Sequence, residues 1–402
     1  MSGRARGIRF SPPPVPVSPE LRWVLLRALG PSGESAPTGI DGQAALDLAD
    51  RLDLTHRIGA RQPAAVLHRE LGPRLAGRIF ARHETVRRWA QGLAALSERV
   101  AARAADLGVP AAALKFLALR LEGLAPDGLR RAGDLDILVP ARDVKRLAEG
   151  LREIGLRELD FPPEEHALAL GDPEERGVEI HRHVPGVSTD TAGQPATYES
   201  LDRAGLLQRH APSGFLLPRR DVLAAHLAVH GLVQHGWSPL AYPLFRMVCD
   251  LADLCIAPGT SLLEDARRWT TSQLGRDELE GLACLAARLR SADPALLAEA
   301  AAGDPARLLL RHFVAGALDP DYQESLRLRA FAESARKGGL LRHLLRAAWP
   351  TEAQLDLLYG PASHPASRLR RRLYRPLDLI LRAARYAVAA LRHRWRAGLE
   401  RE

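Results

Sequence analysis

Gly133-Asp134-Leu135-Asp136-Ile137-Leu138-Val139 is the stretch from which the rest of the chain can be read. Acidic and apolar residues alternate in it, and successive side chains of a strand point to opposite faces. A strand over Asp134–Val139, ended by Pro140, places Asp134 and Asp136 on one face. Leu135 and Ile137 then lie on the other, free to pack beneath a helix. Two neighbouring carboxylates without a counter-charge repel each other. A divalent cation relieves that repulsion, and magnesium favours carboxylates together with phosphate oxygens. The pattern points to metal-dependent phosphoryl transfer.

Such a site calls for a third carboxylate, and the best candidate is Glu179. In Val178-Glu179-Ile180-His181-Arg182-His183 the alternation recurs, with Glu179, His181 and His183 on one face. His181 can line the site or act as a base. Two strands are expected here, His166–Leu170 and Val178–Val184, joined around Gly171-Asp172-Pro173. Upstream, Ala111–Phe116 reads as a further strand with Lys115 near its end. The chain has three lysines, Lys115, Lys145 and Lys337, among 56 basic residues. A lysine at this place suits a triphosphate as a point charge.

Three runs carry a family resemblance: Leu114-Lys115-Phe116, then Leu129-Arg130-Arg131-Ala132-Gly133-Asp134-Leu135-Asp136-Ile137-Leu138-Val139, then Glu179-Ile180-His181. Together they resemble the uncharacterised bacterial nucleotidyltransferases of the DNA polymerase β-like superfamily. His226 to His230, Arg246 to Asp253, Trp349-Pro350 and Leu358-Tyr359-Gly360 are similar to the family's downstream region. The resemblance implies an α+β fold, with a small mixed-sheet polymerase-β-like core embedded between helical regions. It implies Asp134, Asp136 and Glu179 as catalytic metal ligands for Mg²⁺, with Mn²⁺ as a substitute. Lys115, Arg130, Gly133 and His181 fall to the nucleotide, Arg130 either touching it or bracing the loop. The implied reaction moves a nucleoside monophosphate from an NTP, ATP being the first expectation, to an acceptor. Peptide, protein, sugar and small molecule all remain open as that acceptor. One departure stands out: family members show Leu-Lys-Gly where this chain has Leu114-Lys115-Phe116. A phenylalanine there would close the approach to phosphate or displace the turn. The alternative it raises is an impaired, accessory binding protein on the same fold.

Elsewhere the pattern is helical. Ser18-Pro19-Glu20 is an N-cap, a first-turn proline and an acidic first turn. Helices are expected through Leu26, over Ala44–Leu52 and from Leu75 to Leu107. Ala141–Ile154 is a further helix, closed by Gly155. Downstream, Asp221–Gln234, Leu244–Cys255, Ser261–Leu274, Glu278–Leu289 and Pro305–Ala317 follow. The organisation expected is a basic, proline-rich leader (1–18), an N-terminal helical region (19–108), the α/β core (109–200), a C-terminal helical domain (201–367) and a basic amphipathic tail (368–402).

The net charge of +8 belongs to the tail, where eleven arginines face three acids between Arg368 and Glu402. Arguments about anionic partners therefore stay there. Its apolar stripe suits packing on the helical domain, or else contact with a membrane surface, nucleic acid or another acidic partner. Three cysteines, none in Cys-x-x-Cys spacing, speak against a disulfide framework and a structural zinc site. His226 and His230 share a helical face but lack the glutamate of a zinc-protease motif. They read instead as structural partners of Asp250 or Asp253. Absent any apolar run of signal-peptide or spanning length, a cytoplasmic protein is expected, with a peripheral membrane contact open through the tail.

Overall fold

Ser18 opens the first helix, its hydroxyl accepting from the Leu21 N–H at 3.2 Å. A computed structural model describes residues 17–30, 37–159, 167–174, 176–190, 194–231, 244–254, 262–270, 276–291 and 304–319, with scattered positions beyond. The expected leader, apart from Val17 and Ser18, lies outside them, as do Trp349-Pro350 and Leu358-Tyr359-Gly360. Four helices come first: α1 (Pro19–Leu29), α2 (Gly42–Arg51), α3 (Thr55–Arg61) and α4 (Ala64–Asp106). α4 is broken near its start, where Gly72 takes φ +77° and Pro73 supplies no N–H to the ladder. α1 is tied to the segment before that break, since Trp23 Nε1 and Arg27 Nε both donate to Glu70 Oε2 at 2.9 Å.

The α/β unit follows as β1 (Ala112–Ala113), α5 (Lys115–Leu121), β2 (Asp134–Leu138), α6 (Val144–Glu153), β3 (Arg157–Glu158), β4 (Ala167–Gly171) and β5 (Gly177–His181). Next come β6 (His183–Val184), β7 (Ala196–Thr197), α7 (Tyr198–Arg203), β8 (Leu207–Arg209) and β9 (Leu216–Pro218). Seven strands form one mixed sheet in the order β3-β4-β5-β2-β1-β9-β8, while β6 and β7 pair separately. β2 lies at its centre, parallel to β5 and antiparallel to β1. Leu135, Ile137, Val178 and Ile180 are fully buried on the apolar face. α4 touches β2, and α6 touches β4 and β5.

Two expectations change here. The run Ala111–Phe116 is a strand only at Ala112–Ala113, because Lys115 takes a left-handed φ of +42° that ends the extended chain and starts α5. The stretch Val178–Val184 is two strands, β5 and β6, which pair with different partners. Helix Ala141–Ile154 is found as a 3₁₀ turn, Ala141–Asp143, leading into α6, with Gly155 at φ +97° just past its end.

The later helices are α8 (Arg220–Val229), α9 (Leu244–Leu254), α10 (Leu262–Ala266), α11 (Arg276–Arg290) and α12 (Pro305–Leu318). One continuous apolar core runs from Leu21 through the sheet to Val314. Burial of that core is the main driving force for the fold. Buried ion pairs cross it. On α9, Arg246, Asp250 and Asp253 are spaced four and three residues apart and share a face. Asp253 takes a bidentate pair from Arg57 at 2.6 and 2.9 Å, Asp250 takes Arg130 Nε at 2.8 Å, and Arg246 reaches Asp53 at 2.7 Å. Asp250 and Asp253 thus serve arginines, not the histidines expected, because a guanidinium fork matches a carboxylate better than one imidazole does. His226 and His230 instead meet edge to face, 6.2 Å between ring centres. Among the described residues, no helix is long and apolar enough to cross a membrane.

Candidate active site

The parallel pairing of β2 with β5 sets Asp136 beside Glu179, and Asp134 beside Gly177. The side chains of Asp134 and Asp136 point to one face and Glu179 joins them, as the alternation requires. His181, two residues beyond Glu179, shares that face. Its Nε2 lies 2.9 Å from Asp136 Oδ1 and 3.4 Å from Glu179 Oε2. From the other side, the Leu114 N–H donates to the Asp136 carbonyl at 2.9 Å, which holds the end of β1 against β2. The left-handed turn at Lys115 then sends its side chain across, and Nζ sits 2.6 Å from the same Asp136 Oδ1. Such a conformation costs an L-residue about 1 kcal/mol or more, so the surrounding contacts must hold it.

Charge is concentrated and buried at this point. Burial works against ionisation of Asp136, yet the Lys115 ammonium and then His181 hold its carboxyl well below the usual carboxylate range. Burial works against the Lys115 ammonium too, but Asp136, Glu179 and Asp134 outweigh it and raise its proton affinity. His181 is raised for the same reason, its hydrogen bonds to Asp136 and Glu179 overcoming its burial. Asp134 goes the other way. Burial, then repulsion from Asp136 and Glu179, pushes it up to about 7.

Among the described residues, Asp136, Glu179 and His181 offer three ligand-type atoms that all lie within 4.8 Å of one another. Asp134, expected as a metal ligand, stands outside that cluster, and His181 occupies the third place. Two carboxylates and an imidazole suit a divalent cation. The raised proton affinity of Asp134 marks the surplus negative charge that a cation would offset.

Gly133 is exposed, and a side chain added to it would meet nothing within 4 Å, so the edge of the site is open there. Arg130 is buried, its guanidinium held by Asp250 and lying 5.5 Å over the Phe116 ring. In this position it braces the loop before β2. Phe116 itself is a core residue of α5. The left-handed residue of the turn is Lys115, and Phe116 has no positive φ. What the sequence did not offer is the pairing of Asp250 with Arg130, 120 residues away, which no local spacing betrays.

A mixed sheet between helical regions, with acidic residues side by side on its two central parallel strands, is the plan of a nucleotidyltransferase core. The chain matches the family model described as an uncharacterised nucleotidyltransferase over residues 38–288, more than half its length, and belongs to that family. No curated protein and no solved structure matches it.

Proposed function

We propose that the protein transfers a nucleoside monophosphate from an NTP, ATP first among the candidates, to an acceptor with release of pyrophosphate. The observation that carries this reading is the Asp136–Glu179–His181 donor cluster beside Asp134 and Lys115, on the central strands of a nucleotidyltransferase-family core. Asp136 and Glu179 would hold Mg²⁺ or Mn²⁺, with His181 and Asp134 completing the set. A cation held there bridges phosphate oxygens and offsets the charge that develops during in-line displacement. Lys115 supplies a point charge for the triphosphate. Arg130 keeps the loop before β2 in place through Phe116 and Asp250. One of the carboxylates takes the acceptor's proton. Because the Phe116 side chain is buried among the core residues, the catalytic reading is preferred to an accessory one. The test is transfer of label from α-labelled ATP to components of a cell lysate. Labelling by the wild-type chain and none by the Asp134→Asn, Asp136→Asn double variant is expected. Equal labelling by both would sink the assignment.

A second property is supported by the tail. Among the described residues, Leu369, Leu373, Leu377, Ile380 and Leu381 are 48–69% exposed at helical positions. Interleaved with arginines, they suit a peripheral contact with an acidic membrane surface. Pelleting with acidic vesicles should disappear when 368–402 is deleted, and binding that survives the deletion refutes the contact.

A further inference from the structure

Resting on that reading of the site, we propose that Lys115 couples metal entry to nucleotide binding: its ammonium guards the Asp136 oxygen against divalent cations and leaves it for the triphosphate. Asp136 Oδ1 is engaged twice, by Lys115 Nζ at 2.6 Å and by His181 Nε2 at 2.9 Å. A carboxylate oxygen offers about two lone-pair directions, and both are taken. A cation that needs this atom must therefore displace one of the two partners.

The partners differ in how readily they give way. His181 sits within β5, in register with Leu138 of β2, almost fully buried. Its ring can swing little without breaking the packing around it. Lys115 ends in a compact ammonium on a flexible four-carbon stem, able to change partners by rotation alone. Its root is set by the left-handed turn, and its side chain keeps about one tenth of its surface exposed. The charges acting on it are Asp136, then Glu179 and Asp134, all of them groups that a cation would also claim. A triphosphate arriving at the open edge beside Gly133 offers the ammonium a denser negative charge. As Lys115 turns to it, Asp136 Oδ1 is released to the metal. Binding of one ligand then favours the other, and the coupling is reciprocal.

The experiment is a Mn²⁺ titration of the full chain, with free Mn²⁺ read by electron paramagnetic resonance, with and without a non-hydrolysable ATP analogue. Lys115→Met keeps the stem and removes the charge; Lys115→Gln is a second neutral variant, and Lys115→Arg keeps the charge. Thermal unfolding establishes that each variant is folded. Without nucleotide, the neutral variants should bind Mn²⁺ about tenfold more tightly than wild type, the release of a competing buried charge. Lys115→Arg should stay as weak as wild type. With the analogue, wild type should gain Mn²⁺ affinity, and the neutral variants should gain less and bind the analogue more weakly. If wild type binds Mn²⁺ and the analogue together, but the neutral variants bind Mn²⁺ alone no more tightly than wild type, the gating role is overturned while the site reading stands. If wild type binds neither, both fall.

Discussion

Asp136 is the residue on which the site turns, because one carboxylate oxygen is shared by the buried Lys115 ammonium and the buried His181 imidazole. Removing it as Asp136→Ala leaves Lys115 and His181 without that partner. A loss of about 3–5 kcal/mol in urea unfolding is expected, the usual cost of breaking a buried pair from one side. Glu179 is only half-buried. Glu179→Gln should stay within about 1 kcal/mol of wild type and show its effect on transfer alone. Equal destabilisation by both changes would contradict this division. His56 gives a separate prediction away from the site. Burial, helped by Arg246 and resisted by Asp53, holds its imidazole down to about 4, against 6.5 for an ordinary histidine. The unfolded chain therefore binds the extra proton first. The stability involved is fully present above about 6.5 and fades as pH falls through about 4. Going from about pH 7 to about pH 5, wild type should lose on the order of 2 kcal/mol more than His56→Gln. Parallel pH dependence of the two in denaturant titrations would remove His56 from the account.

Among the elements, α9 joins the N-terminal helices to the loop that precedes the acidic strand. Asp250→Ala should cost about 3–5 kcal/mol because Arg130 stays buried without its carboxylate. The pair Arg130→Met with Asp250→Leu should recover much of that loss, which a double-mutant cycle measures. Simple addition of the two single losses would mean that the pair does not act as a unit. On the same helix Cys249 is buried and its thiol is pushed up to about 12, chiefly by burial, whereas Cys284 on α11 is exposed. Brief alkylation of the native protein should mark Cys284 and spare Cys249, as peptide mass mapping would show. The elements also show where sequence reading works. β2, β5 and α6 were legible because their apolar periods are strong and their ends carry proline or glycine. The turn at Lys115 was not, since an apolar run such as Ala111–Phe116 looks extended until one residue takes a positive φ. β8 and β9 are three residues each, too short to show an alternation. His181 was visible through its two-residue offset from Glu179. The arginine pairs of Asp250 and Asp253 were not, because contacts between distant segments leave no local period.

Across the whole molecule, one core unites the N-terminal helices, the sheet and the later helices, and the sheet itself draws on residues as far as Pro218. The fold therefore presents Asp134, Asp136 and Glu179 on a rigid central pair of strands, while Lys115 and the loop before β2 are fixed from its flanks. Family membership covers this unit from residue 38 to residue 288. The most direct test of the central claim is thermal unfolding with Mg²⁺, with each NTP, and with both together. A ligand that binds only the folded chain stabilises it by about 2.7 kcal/mol at a hundredfold excess over its dissociation constant. Wild type should gain several degrees with Mg²⁺ and at least one NTP present together. The Asp134→Asn, Asp136→Asn double variant should gain nothing. No shift of wild type with any NTP, or the same shift in the double variant, would contradict the assignment.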